Sequence, residues 1–176
     1  HSVQLSNGTV ITANSNAPLE VTKLVVNPLD PDGPRIKEFV GFGDAGNITI
    51  KSGANVVMQQ HSLVTTGASD ASGGNIEIDA SDTGMIQLVN SIVRTSVGGV
   101  AKQSDGGNIN IDPQFVVLQN TQIRANAVAG AGGAINIIAT SAYIKDPASR
   151  VDASSTLGIS GTINIQSPLQ NIGGEL

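Results

Sequence analysis

The chain has no cysteine and no tryptophan, and its 176 residues include only three phenylalanines and one tyrosine. Without cysteine there are no disulfides, no thiol nucleophile and no cysteine-based metal site. With so little aromatic volume, a globular core of ordinary thickness is hard to fill. A thin core of Val, Ile, Leu and Ala suits a narrow solenoid better. Charge is also scarce, at 13% of residues, and nine Lys and Arg are spread thinly through a chain of net charge −5. No basic stripe forms, which argues against a nucleic-acid partner. No apolar run approaches the roughly 18 residues of a membrane helix, and no secretory leader opens the chain. His1-Ser2 is as readily a tag remnant as native sequence, so His1 is given no role.

What the chain has in abundance is glycine, 21 residues of it, set in a recurring phrase. Gly46-Asn47-Ile48-Thr49-Ile50, Gly74-Asn75-Ile76-Glu77-Ile78 and Gly107-Asn108-Ile109-Asn110-Ile111 are near copies, followed by the looser Gly133-Ala134-Ile135-Asn136-Ile137 and Gly161-Thr162-Ile163-Asn164-Ile165. Their starts lie 28, 33, 26 and 28 residues apart. A period in this range marks a repeat architecture whose units bury their apolar faces by stacking on one another. The 39% hydrophobic content and the regular alternation argue against disorder.

Alternation continues past each Ile-x-Ile. Ile76 and Ile78 are followed by Ile86 and Leu88, then Val93 and Thr95; Ile109 and Ile111 by Val116 and Leu118, then Ile123 and Ala125; Ile48 and Ile50 by Val56 and Met58, then Leu63 and Thr65. Three short period-two runs per unit predict three strands, each with one face inward. The fold class expected is all-β: a right-handed parallel β-helix, a solenoid of about five coils with three short strands per coil. The handedness follows the rule for parallel crossovers. Val3 and Leu5, then Val10 and Thr12, read as the second and third strands of an earlier coil. The chain thus reads as one domain over 1–176, a piece of a longer solenoid about 25–30 Å long at the strand spacing. Open strand edges at its ends favour end-to-end self-association.

The corners have their own logic. The pairs Gly73-Gly74 and Gly106-Gly107 suggest sharp bends with positive φ. Asn47, Asn75 and Asn108 are expected to stack at one corner, and Asn7, Gln60, Asn90 and Asn120 at another. Outward columns place Lys51 beside Asp79, and Arg94 beside Arg124, which neighbours Asp152. Residues 13–45 break the pattern: two alternating stretches flank the turn-rich Asn27-Pro28-Leu29-Asp30-Pro31-Asp32-Gly33-Pro34, which predicts a projecting extra-helical β-hairpin with Phe39 and Phe42 at its return.

Taken together, residues 3–12 and 46–176 resemble the filamentous haemagglutinin-like exoproteins of two-partner secretion systems. The resemblance rests on the Gly-Gly-Asn-Ile-x-Ile units, on Leu88-Val89-Asn90-Ser91-Ile92-Val93 and Leu118-Gln119-Asn120-Thr121-Gln122-Ile123, and on Ser154 to Ile165 followed by Ser167-Pro168, which looks like the close of the haemagglutinin-type repeat region. It implies a right-handed β-helix, export of the parent protein through an outer-membrane transporter of a Gram-negative bacterium, and adhesion at the cell surface to a glycan or protein of a host or neighbouring cell. The family's amino-terminal secretion domain has no counterpart in these residues, and the 13–45 insertion has no match in the repeat.

An enzyme is the alternative, since parallel β-helices include polysaccharide lyases and hydrolases. Such chemistry needs paired acids on one lateral face. Asp79 with Asp82, and Asp105 with Asp112, are the candidates, but Ala, Ser and Pro flank them, so solvated surface acids are the better reading. His61 is expected at a corner, in column with Ser91 and Thr121, as a surface histidine. His1 and His61 cannot make a metal cluster, and Asp30, Asp32 and Asp70 lack the Gly-Gly-x-Gly-x-Asp calcium repeat. The Gly-rich stretches 97–100 and 129–133 precede strands and lack the Lys-Ser/Thr ending of a phosphate loop. No cofactor or metal is expected. The residues nominated as a binding surface are Phe39 and Phe42 on the insertion, and Arg94 and Arg124, which could meet an anionic glycan.

Overall fold

The computed structural model describes residues 2–13, 24–25, 36–37, 44–69, 71–99 and 104–172. Every regular element among them is a strand: β1 (Val3–Leu5), β2 (Val10–Thr12), β3 (Leu24–Val25), β4 (Ile36–Lys37), β5 (Ile48–Ser52), β6 (Val56–Met58), β7 (Leu63–Ala68), β8 (Ile76–Ala80), β9 (Met85–Val89), β10 (Ile92–Val97), β11 (Ile109–Asp112), β12 (Phe115–Gln119), β13 (Gln122–Arg124), β14 (Ala134–Ile138), β15 (Ala142–Lys145), β16 (Arg150–Asp152), β17 (Thr162–Gln166) and β18 (Leu169–Ile172). They form a parallel β-solenoid. The first sheet, carrying the Ile-x-Ile phrase, runs β5-β8-β11-β14-β17; the second runs β1-β6-β9-β12-β15-β18; the third runs β2-β7-β10-β13-β16. Four complete three-strand turns lie between partial turns at either end. β3 and β4 pair antiparallel, Leu24 with Lys37 and Val25 with Ile36, as the hairpin reading of the insertion requires. The other residues between 14 and 43, Phe39 and Phe42 included, lie outside the described residues.

The register follows the repeated phrase. Ile48 pairs with Ile76, Ile76 with Ile109, Ile109 with Ile135 and Ile135 with Ile163. The middle three are fully buried, whereas Ile163, in the last turn, is 46% exposed. The inward columns of the second sheet are Val56, Ile86, Val116, Tyr143 and Met58, Leu88, Leu118. All seven of these side chains are fully buried. The core is therefore a set of aliphatic stacks, and the shortage of aromatic residues follows from its narrow width.

In the third sheet the expected faces shift by one residue in the first two turns. Val10 pairs with Leu63 and Leu63 with Ile92, so the inward residues are Ile11 and Val64, in line with Val93. Val10 is 58% exposed while Val64 is fully buried. The cause is the corner before the strand. At Asn90 and Asn120 a single residue takes the left-handed conformation, with φ of 47° and 46°; at Asn7-Gly8 and Gln60-His61 two consecutive residues do. One added corner residue reverses the face that every following side chain presents. It also puts Ser62, not His61, in the column with Ser91 and Thr121.

The Gly-Gly pairs serve a different purpose from the one expected. Gly8 is the one described glycine with positive φ. Gly74, Gly107, Gly133 and Gly161 instead lie one above another, and a Cβ on each would overlap the carbonyl oxygen of the glycine one turn before: Gly46, Gly74, Gly107 and Gly133 respectively. The obstacle is stacked backbone, which cannot rotate aside. Inward threonines tie into the same column, Thr66 Oγ1 donating to Gly74 O at 2.6 Å and Thr95 Oγ1 to Gly107 O at 2.5 Å.

Ile109→Ala is expected to cost about 2–5 kcal/mol as a core truncation, and Gly107→Ala should be at least as damaging because backbone must move. Thr49→Ala, on the exposed face of β5, should stay within about 0.5 kcal/mol. Urea denaturation of the three variants measures the order.

Candidate functional site

Among the described residues, two polar corners and two charged faces carry the chemistry of this rod. At the corner ahead of the first sheet, each asparagine reaches one turn onward. Asn47 Oδ1 accepts the Asn75 backbone N–H at 2.8 Å, Asn75 Oδ1 that of Asn108 at 2.9 Å, and Asn108 Oδ1 that of Ala134 at 2.8 Å. The carbonyl half of each amide is spent on structure. With Thr49, Glu77 and Asn110 these amides line a shallow groove of about 300 Å³. It holds hydrogen-bonding groups and one carboxylate, which Lys51 engages at 3.0 Å.

The corner between the second and third sheets is built from the left-handed residues and a column of hydroxyls. Asn7 N–H donates to Gln60 Oε1 at 3.1 Å, and Asn120 Nδ2 donates to Asn90 Oδ1 at 2.7 Å. Behind them Thr9 donates to Ser6 O, Ser62 to Gln59 O, Ser91 to Val89 O and Thr121 to Leu88 O. Reading the sequence placed Ser91 and Thr121 in one column but put His61 there in place of Ser62, and it did not see that these hydroxyls bond to backbone carbonyls. In the next turn Asp146 takes over, its carboxylate accepting from the Asn120 and Ser149 backbone N–H groups at 2.9 and 2.8 Å. Partial desolvation pulls the Asp146 carboxyl upward, but these bonds, the Ser149 hydroxyl and Lys145 outweigh it and hold it below the usual carboxylate range. His61, at φ 63°, is exposed on this corner.

On the third sheet, Arg94 pairs with Arg124 and Arg124 with Asp152, as the columns predict. Arg94 Nε donates to Thr65 Oγ1 at 3.2 Å. Asp152 accepts from Asn126 Nδ2 at 2.9 Å and from the Ser154 backbone at 3.1 Å. The Asn126 bond, against some desolvation, and then Ser154 and Arg124 hold its carboxyl below the usual range. The two nominated arginines thus lie side by side on the outer face of the third sheet, with an acid next in the column.

The acid pairs do not converge on a cleft. Asp79 and Asp112 are neighbours in register, but both lie on the open outer face of the first sheet, and Lys51 sits 3.8 Å from Asp79. Asp82 is exposed in the turn after β8. Asp105 is a turn residue, its Oδ1 accepting the Ala131 N–H at 2.7 Å. Among the described residues no three His, Asp or Glu side chains gather in a way that could hold a metal ion. Nor is any helix long and apolar enough to cross a membrane.

A concavity of about 500 Å³ continues the solenoid interior past β16, between Tyr143, Lys145, Ser149, Arg150, Val151, Asp152, Ile163 and Ile165. Lys145 occupies the inward column after Leu118, and its Nζ donates to the Asp146 and Ser149 carbonyls, both at 3.0 Å. Tyr143 is fully buried with its hydroxyl unpaired, and that burial pushes its pKa up to about 12. The lining of this concavity is thus half apolar and half polar or charged.

No family model matches the chain, and no curated protein or solved structure matches it either.

Two titration outcomes follow. Asp146 and Asp152 have depressed folded-state values, so their contribution is present above the ordinary carboxylate pKa of about 4 and is lost as pH falls through and below it. Thermal melts from neutral pH to pH 2 should show this loss, reduced in the double variant Asp146→Asn, Asp152→Asn. Tyr143 is raised, so its contribution is intact below pH 10 and lost as pH climbs from about 10 toward 12. Tyr143→Phe should remove that alkaline loss and, by deleting an unpaired buried hydroxyl, stabilise the fold by about 1–3 kcal/mol at neutral pH.

Proposed function

We propose that this chain is a structural and adhesive segment of a secreted bacterial surface exoprotein of the filamentous haemagglutinin type, without catalytic activity of its own. The observation that carries the reading is how its polar residues are used. Among the described residues, corner amides, hydroxyls and carboxylates hold one turn on the next, and Lys51, Glu77, Asp79, Asp112, Arg94 and Arg124 lie on outer faces, with no acid pair in a cleft. Such a rod displays surface; it does not enclose a substrate. The repeat phrase and the Ser154 to Ser167-Pro168 ending, which resemble that family, support the same reading. So do the low charge and the many uncharged polar side chains. The parent protein would leave a Gram-negative cell through an outer-membrane transporter, and the rod would then contact a glycan or protein on a host or neighbouring cell.

The strip of Arg94 and Arg124 is the described surface best suited to a contact. Two guanidiniums one strand apart repel each other mildly, and an anionic group laid across them relieves that repulsion with charge-assisted hydrogen bonds. The pair therefore favours a sulfated or carboxylated glycan over a neutral one.

Retention of the protein on an immobilised sulfated polysaccharide tests this. Arg94→Gln with Arg124→Gln should weaken binding about two- to tenfold, and added salt should weaken the wild type in the same direction. Retention equal in the variant would remove the arginine strip from the reading. Breakdown of pectin, alginate or glucan that disappears in Asp79→Asn or Asp112→Asn would overturn the non-catalytic assignment in favour of a carbohydrate-active enzyme.

A further inference from the structure

The second sheet differs from the other two in the charge of its outer face. In the first sheet the outward residues are Thr49, Glu77, Asn110, Asn136 and Asn164, with Lys51, Asp79, Asp112 and Ile138 beside them. The third sheet turns out an apolar column, Val10, Leu63 and Ile92, beside the charged Arg94, Arg124, Arg150 and Asp152. The second sheet alternates just as strictly: Val56, Ile86, Val116 and Tyr143 point inward and are fully buried. Its outward positions are nonetheless uncharged, and mostly apolar in its four middle strands, although Gln4 and Asn171 end the column that Gln87 belongs to. Val57, Gln87, Val117 and Ile144 form one outer column, and Met85, Phe115 and Ala142 another. Phe115 is 38% exposed and Val57, Met85, Val117 and Ile144 are half-buried. The sheet is thus apolar on both faces, the pattern of a strand layer covered on both sides, yet nothing among the described residues covers the outside.

We infer that this outer face is a contact surface for a second copy of the chain, joining two rods side by side. Charge decides the occupant. The chain carries a net charge of −5, so two copies repel over most of their surface. None of the outward residues of β6, β9, β12 and β15 is charged. This is the one face of the described solenoid on which like can meet like without opposing charges of one sign. A two-fold axis through it sets the face against itself as an isologous contact, with the two sheets packed about 10 Å apart and aligned within about 30°. Gln87, central in its column, supplies an amide that can pair with its own symmetry mate.

The size of the face sets the strength. Six strands at about 4.8 Å, each three to five residues long, give roughly 400 Å² per copy, or about 800 Å² for the pair. That is below the roughly 1,200–2,000 Å² of a stable interface. The association is therefore weak and reversible, and it grows with the length of rod that is paired. It goes beyond the adhesive reading and does not depend on it.

Sedimentation velocity over a wide concentration range tests the inference, with circular dichroism to confirm that each variant folds. The wild type should move reversibly from one mass toward twice that mass. Gln87→Lys places a charge at the centre of the face without removing packed atoms, and should raise the dissociation constant at least about tenfold. Val117→Lys should do the same. Because a lysine lowers the magnitude of the net charge, weaker association in these variants has to be local. Asn136→Lys, on the first sheet, is the control and should self-associate at least as well as the wild type. A protein that is monomeric at every concentration overturns the inference. So does association that survives Gln87→Lys and Val117→Lys, which would place the contact at the rod ends. So, too, does a monomer that floats with phosphatidylcholine vesicles and loses that binding in Gln87→Lys, which would make the occupant a lipid surface.

Discussion

Every turn of this solenoid is hydrogen-bonded to the next at the strand spacing of about 4.8 Å, and that spacing governs the choice of residue almost everywhere. A side chain at a given position has as its nearest neighbours the side chains at the same position one turn before and one turn after. Residues are therefore selected for meeting their own counterparts. Isoleucine meets isoleucine along the Ile48 to Ile163 column. Asparagine meets the backbone beneath the next asparagine. Glycine meets the carbonyl of glycine, with no room for anything larger. Where like charges coincide, as at Arg94 and Arg124, an acid closes the column.

This self-meeting made much of the fold legible in the sequence. A phrase recurring with its apolar residues in step dictates which residues pair, so the first and second sheets could be read directly. The third sheet could not be read as well, for a local reason. Gln60-His61 and Asn7-Gly8 bend with two left-handed residues where Asn90 and Asn120 use one, and a period-two pattern carries no mark of how many corner residues precede it. Leu63-Val64-Thr65-Thr66 offers apolar and hydroxyl residues on either face, so composition could not correct the register. The glycine pairs were assigned to the right corner but to the wrong cause. Positive φ is a property of one residue, whereas the crowding at Gly107 comes from Gly74, thirty-three residues away in the chain.

The site was less legible than the fold. Pairing Arg94 with Arg124 needed only the register, and the register was available. The unused outer surface of the second sheet was harder to see, because Val57, Met85, Val117 and Ile144 look like core residues in the sequence, and only the alternation around fully buried Val116 and Ile86 turns them outward. Acids in a repeat protein mislead in the opposite way. Asp79 and Asp112 fall in register because the whole phrase does, so their alignment says nothing about chemistry.

The nearest-neighbour stacking also fixes how the rod responds to force. Each turn holds 26 to 33 residues yet adds only the thickness of one strand, about 4.8 Å, to the length of the rod. Drawn out, the same residues span roughly 100 Å. A turn bonds only to the turns above and below it, so a pull on the chain ends peels turns away singly rather than shattering the whole. A rod built this way lengthens in steps about twenty times the thickness of each unit it gives up, while the turns not yet reached stay folded.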